Sequence, residues 1–356
     1  MAEVGAAAPA SLAAIASRVD ARLDLLLERE RERWVAIDGD LAGPFDEIRR
    51  MVRSGGKRLR PAFCYWAFVG AGGDAADRRV VDAGAALELM HASALFHDDV
   101  IDDAASRRGA PTTHASYAVE HDRQAWAGEA RRFGEGVAIL VGDLALVLSD
   151  ELMVGVPDRA WRLWNELRLE LNAGQFLDIL GSVQRDRRPD KAARIARYKS
   201  GKYTIERPLH LGALLAAPQQ GDALFPELSA FGQPLGDAFQ MRDDVIGAFG
   251  DAAVTGKPVG DDLREGKPTP LLAQATERAS AAQQAVLARV GAPELDAAAI
   301  AEIQQVLVDT GALAAVERRI DELAALALAA LAAGELIAEA RRELAALAEY
   351  VVARRV

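Results

Sequence analysis

The stretch Leu95-Phe96-His97-Asp98-Asp99-Val100-Ile101-Asp102-Asp103 decides how this chain is read. Its logic returns in Phe239-Gln240-Met241-Arg242-Asp243-Asp244-Val245-Ile246. Each sets adjacent carboxylates inside an apolar, helix-patterned run. Such neighbours repel one another, and apolar surroundings raise the cost of ionising them. A fold tolerates two clusters of this kind when hard cations neutralise them. Asp98 and Asp102, four apart, share one face of a helix, and Asp99 flanks it. Oxygen donors on a semi-rigid face suit magnesium, which takes a few carboxylates and fills its other positions with water or phosphate oxygens.

Basic residues stand near both clusters. Gly55-Gly56-Lys57-Arg58-Leu59-Arg60-Pro61 precedes the first, and Arg107-Arg108-Gly109-Ala110-Pro111-Thr112 follows it. Lys199 and Lys202 precede the second, and Lys257 and Lys267 follow it. Carboxylates, magnesium and Arg/Lys clamps together describe a diphosphate site. Two such clusters facing each other would grip one diphosphate through shared metals. Lys57 and Arg60, three apart, read as sharing a helical face, and Gly55-Gly56 offers backbone N–H groups to an anion. Each element has a plainer reading alone: a solvated acidic helix end, or an exposed basic turn.

Composition bounds the rest. Alanine and leucine dominate and aromatic residues make up only 6%, which favours helices. The net charge of −11 argues against nucleic acid and against attraction to anionic lipid. Cys64 is the only cysteine, so no intrachain disulfide forms and a reducing cytoplasm fits. No charge-free apolar run reaches transmembrane length, and the first residues lack the basic region of a signal peptide.

Apolar residues recur at helical spacing almost throughout, with no convincing strand. The spacing predicts helices over 9–37, 46–52, from the basic segment to before Gly70, 77–103, 136–154, 158–183, 190–217, 223–249, 269–290, 296–309, 312–333 and 335–353. Residues 104–135 read as loop plus short helix, and the Gly- and Pro-rich 250–268 as a mobile loop beside the site. No linker stands out. Residues 1–10 read as a loose tail, and 11–356 as one helical domain.

The motifs also fall into an order. Gly56-Lys57-Arg58-Leu59-Arg60-Pro61 is followed by Asp98-Asp99-x-x-Asp102 and Arg107-Arg108-Gly109-x-Pro111-Thr112-x-His114. Gly142-Asp143, Gly174-Gln175-x-x-Asp178, Lys199-Ser200 and Phe239-Gln240-x-x-Asp243-Asp244 come next. Thr255-Gly256-Lys257-x-x-Gly260-x-Asp262-Leu263 and Gly266-Lys267 complete the series. The chain thereby resembles the trans-isoprenyl diphosphate synthases, the polyprenyl synthetase family, across nearly its whole length.

The resemblance implies an all-α fold: a single large helical bundle of the isoprenoid synthase type with a central cavity. It implies a prenyl transferase that joins isopentenyl diphosphate to an allylic diphosphate (dimethylallyl, geranyl or farnesyl). Magnesium, with manganese as a substitute, and a homodimeric state follow from the same likeness. Asp98, Asp102 and Asp243 are the implied metal ligands, with Asp99 in the catalytic set. Gly56, Lys57, Arg60, His91 and Arg108 are implied to hold isopentenyl diphosphate. For His91 the plainer reading is a core histidine on an apolar helix. Arg107, Lys199, Lys257 and Gln240 are implied to hold the allylic diphosphate, while Ser200 and Gln240 point dipoles at a carbocation.

In this family, bulky side chains four or five positions before the first aspartate block the product at fifteen carbons. Ala94 and Ser93 occupy those positions and leave the path open, and Met90, a turn further, is a possible later floor. The expectation is geranylgeranyl diphosphate. One departure stands out: Gly247 lies where a third aspartate of the second motif is usual, with Asp251 and Asp261 as candidate replacements. Two rivals stay open. A class I terpene cyclase shares the first metal motif but carries an Asn/Asp-x-x-Ser/Thr-x-x-x-Glu second motif. A catalytically weak partner subunit would lack acidic ligands.

Overall fold

The computed structural model describes residues 7–186, 188–250, 259–292 and 295–353. Two compact units account for them. One holds Ala10–Tyr65 and Asp74–Val156, the other Trp66–Gly73 and the chain from Pro157 onward.

In the first unit, α1 (Ala10–Val35) buries Leu12, Ile15, Val19, Leu23, Leu26 and Leu27, spaced by three and four residues as an amphipathic helix requires. Next come α2 (Ala42–Arg53) and α3 (Leu59–Gly70), which ends in the second unit. α4 (Arg78–Ile101) starts where the Asp77 side chain accepts from the Arg79 N–H, and it packs against α1, α2 and α6 (Ala130–Leu152). Its run of small residues permits this: a Cβ on Gly84 would already touch Val19 and Pro61 at 3.1 and 3.2 Å. α5 (Thr113–Arg123) lies against α6.

The second unit is built on α7 (Asp158–Gln184), α8 (Pro189–Ala196), a π-helical stretch (Arg197–Glu206), α9 (Arg207–Ala216) and α10 (Phe225–Phe249). Short helices follow: α11 (Asp261–Glu265), α12 (Pro270–Arg278) and α13 (Ala281–Leu287). α14 (Ala297–Asp309), α15 (Ala312–Ala333) and α16 (Ala338–Val352) close the chain. Their core joins Leu271, Ile303, Leu307, Val316 and Ile320 to Ala238 and Val245 of α10.

The helical expectation holds, with five local corrections, the first being that Asp261–Glu265 is helical within the segment read as a loop. Ser106–Arg107 and Ala110–Pro111 pair as a two-residue antiparallel ribbon, where no strand is visible in the sequence pattern. The 190–217 segment is interrupted by the π-helical stretch. The 269–290 segment breaks at Ser280, whose side chain and that of Gln283 cap each other's backbone N–H groups. Lys57 precedes α3 and is not helical, so it and Arg60 do not share a helical face. The first six residues of the tail, and 251–258 of the expected loop, lie outside the described residues.

Among the described residues no single helix is long and apolar enough to cross a membrane. α14 and α15 pass such a test only as a pair, and they are bent by 62°. Cys64 is a free thiol, and burial pushes it up to about 12, so it is inert.

Candidate active site

The first acidic cluster closes α4. Asp102 is its C-cap, and Asp103 turns into the left-handed region at φ 50°. The chain then makes a two-residue hairpin whose central residues, Arg108 (φ 53°) and Gly109 (φ 75°), both have positive φ. That is the type I′ geometry, which suits the twist of the flanking strands. Glycine adopts it freely; Arg108 does so against its preference, a strain that gathers at functional sites. The Thr112 hydroxyl donates to the Ala104 carbonyl at 2.7 Å and fastens the hairpin base.

This hairpin sets Arg107 against the acidic face. Its Nε donates to Asp99 Oδ1 at 2.7 Å, and its Nη2 lies 3.9 Å from Asp98 Oδ2. Asp99 is buried, whereas Asp98 and Asp102 are half-buried. Burial pushes the Asp99 carboxyl up, and Arg107 pulls it back. Asp99 Oδ2 is buried without a hydrogen-bond partner. Asp99 therefore positions Arg107, while Asp98 and Asp102 keep solvent access.

Arg58 is turned inward. It donates to Asp20 at 2.9 Å and to Glu88 at 2.8 Å, and its Nη2 donates to the Val52 carbonyl. Gly56 lies against it: a Cβ there would stand 2.6 Å from Arg58 Nη1. Arg58 thus anchors the loop that carries the exposed Lys57 and leads into α3, whose first turn holds the half-buried Arg60. Arg108 reaches the same loop, donating to Ser54 Oγ at 3.2 Å and to the Gly55 carbonyl. His91 is held well below the usual histidine range, first by burial and then by Arg60, Arg108, Arg107 and Arg58. A neutral imidazole among four guanidiniums is an arrangement whose charge suits an anion. The structure brings together five of the predicted residues here: Arg60, His91, Arg107, Arg108 and Asp99. One and two turns before Asp98 on α4, Ala94 is half-buried, and Ser93 and Met90 are buried.

In the second unit the π-helical stretch is the central feature; such bulges recur at functional sites. Glu170, Gly174 and Asp178 lie four apart on α7 and face it. Lys202 Nζ donates to Glu170 Oε1 at 2.5 Å, and Lys199 Nζ to Asp178 Oδ2 at 2.5 Å. Between these ion pairs the backbones touch: a Cβ on Gly174 would stand 2.6 Å from Tyr198 C and 2.7 Å from Lys199 Cα. On the far side, a Cβ on Gly236 of α10 would meet the Gly201 backbone at 2.9 Å. Arg207 adds two bonds to Glu170, at 2.7 and 2.6 Å. Glu206 accepts from Ser229 and Gln233, and Ser229 meets His210 at 3.0 Å. This buried network is not visible in the sequence, although the Glu-Gly-Asp spacing of four is a trace of it. Ser200, half-buried, sits inside the stretch.

The second acidic cluster lies on α10. Gln240 Nε2 donates to Asp244 Oδ1 at 2.7 Å. Asp244 is buried and its Oδ2 lacks a hydrogen-bond partner; Asp243 is exposed. Burial pushes Asp244 well above the usual carboxylate range. Gln240 opposes this, and the carboxylates of Asp262, Asp243 and Asp178 add to it. Gly247 leaves a gap that is already filled: a Cβ there would overlap Asp262 Oδ2 and stand 2.5 Å from its Cγ. The carboxylate near the missing third aspartate is therefore Asp262, not the neighbouring Asp261; Asp251 lies outside the described residues. Lys267 Nζ stands 3.4 Å from Asp262 Oδ1. Lys257 also lies outside the described residues.

Among the described residues, no three His, Cys, Asp or Glu donors already converge on one point. Magnesium does not require that: one or two carboxylates plus water and phosphate oxygens complete its shell. Hard-oxygen donors beside two orphaned, buried carboxylate oxygens fit it.

Comparison with known proteins agrees with this chemistry. The profile of the family described as polyprenyl synthetase matches residues 45–308. A geranylgeranyl diphosphate synthase of Mycobacterium tuberculosis is 37% identical over 265 residues, covering 72% of this chain and 70% of the relative. A nonaprenyl diphosphate synthase of the same organism is 32% identical over 222 residues, covering 62% of this chain and 60% of its own. The crystal structure of a geranylgeranyl pyrophosphate synthase from Corynebacterium glutamicum, complexed with isoprenyl diphosphate and magnesium, superposes with a TM-score of 0.89. It is 37% identical, covering 96% of this chain and 99% of that one.

Proposed function

This chain belongs to the polyprenyl synthetase family and is a prenyltransferase, and from that premise we propose that it joins isopentenyl diphosphate to an allylic diphosphate, giving trans-geranylgeranyl diphosphate. The observation that carries this reading is a cation clamped on a buried carboxylate in each unit: Arg107 on Asp99 of the first acidic cluster, and Lys199 on Asp178 of α7.

Magnesium or manganese, held by Asp98, Asp102 and Asp243, would neutralise the departing diphosphate. Arg107, Lys199 and Lys257 stabilise the charge that builds on it as the C–O bond breaks. Lys57, Arg60, Arg108 and the Gly56 backbone hold isopentenyl diphosphate, and neutral His91 donates to it without adding charge. The Ser200 hydroxyl and the Gln240 amide carry dipoles suited to the allylic cation. The double bond of isopentenyl diphosphate attacks that cation, and the proton is lost to the released diphosphate. No side-chain nucleophile is needed.

Product length rests on Ala94 and Ser93. Both are small, and the next bulky side chain up α4 at that spacing is Met90. The test is chromatography of the products formed from isopentenyl diphosphate with dimethylallyl, geranyl and farnesyl diphosphate. A twenty-carbon main product is expected. A fifteen-carbon product refutes the length, and absence of condensation with every starter refutes the reaction.

We assign the enzyme one catalytic domain from residue 11 and a homodimeric state. Leu140, Val147 and Val154 recur every seven residues along and just beyond α6, and Leu169, Phe176 and Val183 do so along α7. All six are between 64% and 80% exposed. Two apolar seams of this kind fit a second copy of the chain. Light scattering at micromolar concentration should give the dimer mass, and a monomer mass contradicts it. The single reduced, buried Cys64 supports a cytoplasmic location, which cell fractionation checks.

A further inference from the structure

The hairpin that carries Arg107 and Arg108 is held from outside, by a helix that belongs to neither acidic cluster. α2 meets the start of α5 and the hairpin in three successive steps. The first is steric: a Cβ on Gly43 of α2 would stand 2.5 Å from the Tyr117 hydroxyl of α5. One turn along α2, Glu47 Oε2 accepts from the hydroxyl of Thr113, the first residue of α5, at 2.5 Å. Gly43 and Glu47 are four apart, as are Thr113 and Tyr117, so both steps use one face of each helix. At the next turn Arg50 extends the line. Its Nη2 donates to Glu47 Oε2 at 2.5 Å and to Thr113 Oγ1 at 3.2 Å, and its Nη1 donates to the Pro111 carbonyl at 3.3 Å. Pro111 is the last residue of the ribbon.

A ribbon with two residues per strand has little backbone pairing of its own with which to hold a strained turn. Arg108 nevertheless keeps φ 53° at its tip. Such a conformation persists only where the surroundings over-determine it. The hairpin base is tied on one side by the Thr112 hydroxyl to the Ala104 carbonyl, and on the other by Arg50 to Pro111. Thr113 is 1% exposed, so its hydroxyl is shut off from solvent and depends on Glu47 and Arg50.

We propose that Glu47, Arg50 and Thr113 are positioning residues that seat the hairpin, and that through it they place Arg107 and Arg108 for both diphosphates. The assignment rests on the reading of those two arginines as diphosphate cations, and it goes beyond that reading by tracing their placement to α2. The consequence is specific. Arg107 and Arg108 are adjacent yet assigned to different substrates, so loosening the hairpin weakens the hold on both substrates together. Loss of Lys57 or Lys199 weakens the hold on one.

The test is steady-state kinetics of the full-length chain, with isopentenyl diphosphate and geranyl diphosphate varied in turn. Thr113→Val keeps the side-chain shape and removes the hydroxyl. It should raise KM for each substrate about 10-fold, the order expected when a hydrogen bond to a charged group is lost. Thr113→Ser retains the hydroxyl and should return both values close to wild type. Arg50→Lys keeps the charge, but one ammonium cannot reproduce the planar fork that reaches Glu47, Thr113 and Pro111 at once, so it should resemble Thr113→Val. Loss of folded enzyme lowers kcat alone and leaves KM where it is, which separates placement from mere stability. Wild-type KM values for both substrates in Thr113→Val overturn the proposal. So does a change in only one of them, or an equal rise in Thr113→Ser. If Thr113→Val does not fold, Arg50→Lys decides by the same criteria. Unchanged KM values in Arg108→Ala refute the reading of the arginines themselves, and the proposal falls with it, a result distinguishable from failure of the α2 seat alone.

Discussion

Gly174→Ala puts one methyl group between α7 and the π-helical stretch. That methyl would stand 2.6 Å from Tyr198 C and 2.7 Å from Lys199 Cα, where carbon–carbon contact needs roughly 3.5 Å. The two backbones must separate by about 0.9 Å. A flexible side chain could swing away, but these atoms are main chain, and the Glu170–Lys202 and Asp178–Lys199 ion pairs hold them on either side. Overpacking of this kind costs about 1–3 kcal/mol. The functional cost should be larger, because the shift moves Lys199, the cation assigned to the departing diphosphate. A displacement near 1 Å lowers a rate by about 10²-fold. Steady-state kinetics and thermal melting of Gly174→Ala read both effects. The expected result is a Tm lower by several degrees and kcat lower by about two orders of magnitude. Wild-type kcat and Tm would show that the backbone contact does not position Lys199.

Three further outcomes are expected. Lys57→Ala or Arg60→Ala should chiefly raise the apparent KM for isopentenyl diphosphate, while Lys199→Ala impairs the allylic substrate and kcat; indistinguishable profiles would refute the division of the cations. Ala94→Phe or Ser93→Phe should shorten the product to farnesyl diphosphate, and an active variant with unchanged chain length would remove these residues from the path of the tail. His210 is pushed down from 6.5 to about 4 by burial, with Arg207 and Lys202 adding to the shift and Glu206 opposing it. Its folded-state pKa is depressed, so the unfolded chain takes up the proton first. The stability it contributes is present above about 6.5 and is lost as pH falls toward about 4. Melting temperatures should therefore fall between pH 7 and pH 5, and His210→Gln should flatten that slope; an equally steep slope in the variant would contradict it.

The helices were legible because their apolar residues repeat at three and four, as Leu12 to Leu27 do on α1. The two aspartate clusters were legible because their chemistry is local in sequence. The features that escaped are of other kinds. A strand of two residues is too short to display a period, so the 106–111 ribbon was hidden, although Arg108-Gly109 has a turn-forming second residue. A π turn adds one residue per turn and needs no breaker, so Arg197–Glu206 looks like continuous helix. The Ser280–Gln283 capping box was readable and marks the break it causes. Arg58 reads as one more phosphate-binding cation until its carboxylate partners, Asp20 and Glu88, are seen to face it. Asp262 filling the space at Gly247 is a contact between distant positions, which spacing alone cannot show.

The claim at the centre of this account is that carboxylates of both acidic clusters act in the ionisation of the allylic diphosphate. Rapid-quench single turnover of Asp98→Asn and Asp243→Asn, with saturating magnesium and both substrates, tests it most directly. Both substitutions are close to isosteric, and circular dichroism verifies that the helices are retained. The account predicts that each lowers the rate of the chemical step by at least about 10²-fold, because each removes a group that acts mainly in the transition state. A wild-type single-turnover rate in either variant would contradict it.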